Sequence, residues 1–103
     1  MAMARDLQLY ADLEVADIDD PEVQEALREL DQRLDRSQGL GEIVTEGRRI
    51  HLGVGYLDNN PTYTIWLFQV VSLLVKHTRE PSVECQICDS TGDWWSERVY
   101  PAA

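Results

Sequence analysis

Cys85-Gln-Ile-Cys88 is the one close pair of thiols in the sequence. A CxxC redox pair works when a helix N-terminus lowers the thiol pKa, and a zinc site needs the pair in a turn with two further ligands. This pair lies instead in an alternating run, Ser82 to Asp89, with Val83, Cys85 and Ile87 on one parity. Three residues of strand separate the Cα atoms by roughly 10 Å and put the side chains on opposite faces, beyond the ~7 Å reach of a disulfide. His51 and His77, the only histidines, have no motif spacing to either cysteine. The cysteines are expected to be structural, with no metal and no cofactor.

His51 is the remaining candidate for acid/base chemistry, with Asp12 or Glu14 as a carboxylate partner. No activated nucleophile accompanies it. Gly53-Val-Gly55 lacks the third glycine of a dinucleotide fingerprint, and no GK[ST], GxSxG or HExxH occurs. A small enzyme is therefore the least supported of the readings, and no catalytic residue is assigned.

The acids are more distinctive. Asp12, Glu14, Asp17, Asp19, Asp20, Glu22, Glu25 and Glu29 fall within 18 residues, offset only by Arg28. Capping at a positive helix end explains Asp19, Asp20 and Glu22. It does not explain Asp12 and Glu14. The acids do not match a calcium loop. The two remaining explanations are solubility and steering toward a basic partner. Trp94-Trp95 adds a geometric constraint, because adjacent strand residues point to opposite faces. Val99 places Trp95 inward, which leaves Trp94 and Tyr100 outward with Tyr10. Exposed Trp and Tyr are typical binding anchors.

These residues need elements to position them. Asp6 to Val15 alternates with Leu7, Leu9, Ala11, Leu13 and Val15 on one parity, a strand with one buried and one wet face. Asp20 caps a helix and Pro21 suits its first position. Val23, Ala26, Leu27, Leu30 and Leu34 form its apolar stripe, Glu29 and Arg33 can pair at i,i+4, and Gly39 and Gly41 stop it near Ser37. Glu42–Glu46 and Ile50–Leu57 read as strands joined at Gly47-Arg48-Arg49. In the second, His51, Gly53 and Gly55 share a nearly bare face.

Thr62 to Arg79 is rich in β-formers, yet neither parity is clean. Thr62, Gln69, Ser72, Lys76 and Arg79 form a polar stripe at helical spacing, between Asn60-Pro61 and Pro81, so a largely buried helix is expected. Ser82–Asp89, a turn at Ser90–Asp93, and Trp94–Tyr100 complete the chain. The order β-α-β-β-α-β plus an edge strand is the split βαβ, or ferredoxin-like, arrangement: α+β, with two helices on one face of an antiparallel sheet. That arrangement hosts many unrelated functions.

Composition bounds the rest. The 103 residues, 44 % hydrophobic and 27 % charged, fit one domain, 1–103. Nineteen acids against nine bases give a net charge of −10. A nucleic-acid or anionic-membrane binder needs a basic footprint, so neither partner is expected. Residues 1–36 hold 11 acids and 4 bases, a balance of −7. No apolar leader or spanning segment is visible, so a cytoplasmic location is expected.

The sequence predicts a non-catalytic acidic module that binds a basic protein, with Tyr10, Asp12, Glu14, Glu25, Glu29, His51, Trp94 and Tyr100 as contact candidates. Inhibitors and immunity proteins that neutralise basic toxins or effectors share this size and charge, as do accessory components of bacterial defence systems. The alternative is a ligand-sensing or regulatory domain that forms a homodimer through its sheet.

Overall fold

The computed structural model describes residues 5–36 and 41–103; for Leu34, Asp35 and Arg36 it describes the backbone only. The element order is β1 (Asp6–Glu14), α1 (Pro21–Arg36), β2 (Gly41–Glu46), β3 (Arg49–Leu57), α2 (Pro61–Lys76), β4 (Val83–Asp89) and β5 (Trp94–Val99).

Both helices open alike. The Asp20 carboxylate accepts from Glu22 N at 2.9 Å, the Asn60 side chain accepts from Tyr63 N at 3.2 Å, and each cap is followed by proline at the first helical position. The helix expected over Thr62–Arg79 is present as α2, but it stops at Lys76, three residues short of Arg79 and well before Pro81. His77 N turns back to Leu74 O, and Thr78 bridges Val15 beside β1. The expected stop of α1 at Gly39 lies outside the described residues, while Gly41 opens β2.

The five strands form one antiparallel sheet in the order β2-β3-β1-β4-β5. β1 is inserted between β3 and β4, as the split βαβ order requires, and β5 extends that arrangement beyond β4. Leu7, Leu9, Ala11 and Leu13 of β1, Ile50, Leu52 and Val54 of β3, and Val83, Cys85 and Ile87 of β4 turn to one face. Val23, Ala26 and Leu30 of α1 and Leu67, Val70, Val71, Leu74 and Val75 of α2 cover them. Among the described residues this core buries no polar or charged side chain. Burial of about 25 cal/mol per Å² of apolar surface makes this face the source of the fold's stability.

The seam between the helices is closed by polar groups. His77 Nε2 meets Glu22 Oε1 at 2.6 Å and Lys76 Nζ meets the same oxygen at 3.1 Å, tying the end of α2 to the start of α1. Arg33 lies over the Trp66 ring at 4.3 Å. The sequence pairs Arg33 with Glu29 instead. A half-buried aromatic face across the seam outcompetes an exposed i,i+4 ion pair worth only a few tenths of a kcal/mol.

Candidate functional site

Parity in the strands puts the opposite set of residues on the helix-free face. β1 contributes Gln8, Tyr10, Asp12 and Glu14, and β3 contributes Arg49, His51, Gly53 and Gly55. Register then decides which of them meet. One row runs Glu42–Gly53–Tyr10–Gln86–Ser96 across all five strands, and the next runs Gly55–Gln8–Cys88–Trp94.

Tyr10 and Trp94 stand in adjacent rows with β4 between them, and their rings stack at 5.8 Å between centroids, 28° apart. Tyr10 is 40 % exposed and Trp94 60 %. The Tyr10 hydroxyl is held by Gln8 Oε1. Gly53 gives the ring room, since a Cβ there would stand 3.4 Å from a Tyr10 ring carbon. The near-absence of side chains on this part of β3 is what lets Tyr10 lie flat against the sheet. Trp95 turns to the core face, half-buried and packed against the core. The two tryptophans thus divide as strand parity requires.

Charged pairs surround this aromatic centre. His51 Nδ1 and Asp12 Oδ1 are 3.4 Å apart as direct cross-strand partners. Arg48 pairs with Glu14 at 3.1 Å, and Arg98 with Glu84 at 3.2 Å. Hydrogen bonding from Ser96 foremost, then from Gln86, with Arg98 nearby, holds the Glu84 carboxyl below its usual pKa. Glu42 and Glu46 share the face and make no ion pair among the described residues. Val44, exposed between them, completes a shallow hollow of about 320 Å³ with Tyr10, His51 and Gly53.

The structure thus brings Tyr10, Asp12, Glu14, His51 and Trp94 together on one face. It separates the other three candidates. Glu25 and Glu29 lie on the solvent side of α1, across the helix layer from the open face, and Glu25 is paired with Arg28. Tyr100 is 64 % exposed but follows the end of β5. Its carbonyl accepts from the Ser72 hydroxyl and Ala102 N donates to Ser72 O, so this tail runs beside α2 rather than over the open face. Glu42, Glu46 and Glu84 are the acids that sequence reasoning left out. Their signal was the same parity that selected Asp12 and Glu14.

Cys85 and Cys88 are free and occupy opposite faces of β4. Burial, reinforced by Glu97, pushes the Cys85 thiol up to about 11, so it stays protonated and unreactive at neutral pH. No group of three or more metal-ligating side chains gathers among the described residues. No helix among them is long and apolar enough to cross a membrane. No family model matches this chain, and searches of curated proteins and of solved structures likewise find no match.

Proposed function

We propose that this chain is a protein-binding module whose open sheet face docks on a basic protein, in the manner of an inhibitor or immunity-type protein, or of an accessory component of a defence system. The observation that carries this reading is the exposed Tyr10–Trp94 stack inside a charged border in which Asp12, Glu14, Glu42, Glu46 and Glu84 outnumber Arg48, Arg49 and Arg98. A desolvated aromatic centre with a charged rim is the anatomy of a binding hot spot. Glu25 and Glu29 contribute to the long-range field from the other side of the molecule. They do not touch a partner seated on the sheet.

The test begins with affinity capture from the source cell and identification of bound proteins by mass spectrometry. Stopped-flow association at low and high salt then separates the two contributions. Neutralising Asp12, Glu14, Glu42 and Glu46 together is expected to slow association and flatten its salt dependence, because charge acts mainly on encounter. Trp94→Ala is expected to speed dissociation about thirtyfold, corresponding to about 2 kcal/mol at a hot spot. Association indifferent to both salt and the acid changes would leave the acids as solubilising groups only.

A second reading, a ligand-sensing regulatory domain, draws on the hollow beside Tyr10, Val44 and His51. Chemical-shift changes confined to those residues on addition of a small-molecule library, with no protein captured, would favour it.

A further inference from the structure

Among the described residues the sheet has two free edges, β2 and β5, and they differ in what they offer a second copy of the chain. Asp89 N donates to Asp93 O at 3.1 Å, and the ladder continues with Cys88 opposite Trp94 and Ile87 opposite Trp95. Antiparallel pairs alternate between bonded and non-bonded. The backbone groups of Trp95, Glu97 and Val99 therefore bond to β4, and those of Trp94, Ser96 and Arg98 point out of the sheet.

Antiparallel pairing of two β5 strands about a two-fold axis at Ser96 sets Ser96 against its own copy. It sets Trp94 opposite Arg98 of the second copy on the open face, and Trp95 opposite Glu97 of the second copy on the core face. Each pairing is complementary. Arginine against tryptophan is a cation–π pair. Arg5 lies 5.8 Å over the Trp95 ring, so Glu97 of the second copy approaches a guanidinium. Glu97 makes no ion pair of its own among the described residues.

The core face next to this edge is only partly covered. α2 packs against β5, yet Arg5, Phe68, Trp95 and Glu97 line an open groove of about 640 Å³ beside it. Ile65, at the adjoining end of α2, is 59 % exposed. β2 offers none of this. It carries Glu42 and Glu46 and no base, so copies paired along it bring like charges together.

We infer that β5 is a self-association edge through which two copies form a continuous ten-stranded sheet. The interface is isologous, with each contact made twice. It presents both Tyr10–Trp94 stacks on one extended face, and it stands independently of the basic partner proposed above. One short strand pair and part of a groove make a small interface, so the dissociation constant is expected at ~10–100 µM.

Sedimentation equilibrium of the full chain over a concentration series tests this. A reversible dimer is expected, and Ser96→Pro is expected to abolish it while the monomer stays folded, because that N–H bonds to no strand within the monomer. Glu97→Arg is expected to weaken the dimer at least tenfold, and it supplies the answer if the proline variant does not fold. In the wild type, amide exchange at Trp94, Ser96 and Arg98 is expected to slow as concentration rises. A chain that remains monomeric at ~1 mM overturns the proposal. So does a dimer that survives both substitutions and is lost on Asp12→Arg, which would place the contact on the open face.

Discussion

The two faces of the sheet are written by the same strands, residue by alternate residue, and they follow opposite rules. On the helix-covered face Leu9, Ile50, Val54 and Ile87 lose essentially all contact with water. On the open face polar, aromatic and glycine residues predominate, and several of its acids pair with bases while Glu42 and Glu46 make no ion pair among the described residues. Asp12 reaches His51, and Glu84 reaches Arg98. The comparison teaches that stability and recognition are separated by one residue of register. A change at position i acts on the fold, and a change at i+1 acts on the surface.

The strongest way to break this contrast is to attack the helix that covers the core face. Val71→Pro, in the middle of α2, removes a backbone hydrogen bond and drives the ring into the preceding turn, at a cost of about 3 kcal/mol or more, so circular dichroism is expected to show an unfolded chain. A folded, fully stable variant would contradict the helix. Next come neighbours on opposite faces. Leu9→Ala is expected to cost about 2–5 kcal/mol in urea titration, whereas Tyr10→Ala costs less than about 1, though the two are adjacent in sequence. The tryptophans sharpen the same point: Trp95→Ala is expected to lower the melting temperature more than Trp94→Ala, and the reverse order would invert the face assignment. The double change Cys85→Ala, Cys88→Ala is expected to leave the chain folded, weakened only by the cavity at Cys85.

The smallest expected effect is the dependence of stability on pH. Hydrogen bonding from His77, then Lys76, lowers the pKa of Glu22, and hydrogen bonds from Arg5 lower that of Asp58. A carboxylate whose folded pKa lies below its unfolded value contributes fully above the unfolded value, here near 4.5 for Glu22 and 3.8 for Asp58. That contribution is lost as pH falls through the folded value. Melting temperature is expected to be level above pH ~5 and to fall below it. Glu22→Gln is expected to reduce the steepness of that fall.

Much of the fold was legible because it rests on local rules. Period two in Asp6–Glu14, the Asp20-Pro21 and Asn60-Pro61 openings, and the polar stripe of α2 each report on residues a few positions apart. The site was legible only as far as parity reaches, which fixed Tyr10, Asp12, Glu14, His51 and Trp94 on one face. What was not legible depends on register and on layers. The cluster from Asp12 to Glu29 is continuous in sequence, yet the turn from β1 into α1 carries its second half to the other side of the molecule. Glu42 and Glu46 enter the face because the Gly47-Arg48 turn, with Gly47 at φ 59°, folds β2 back beside β3. Tyr100 leaves it because β5 ends one residue earlier and Ser72 holds the tail beside α2. Arg33 chose Trp66 over Glu29 for a tertiary reason that no helical spacing contains.

The position of β1 has a consequence for how the molecule is made. Of these five strands the earliest in the chain is the central one, and Leu7 and Leu9 find their β4 partners, Asp89 and Ile87, about eighty residues later. Until β4 emerges, β1 can pair only along its β3 edge, and its apolar row lies beside an open backbone ladder. Contacts this distant in sequence slow folding and prolong the exposure of an unpaired strand. A nascent or truncated chain ending before Val83 is thus the species most prone to aggregate. The rate at which β4 is delivered sets how long that vulnerability lasts.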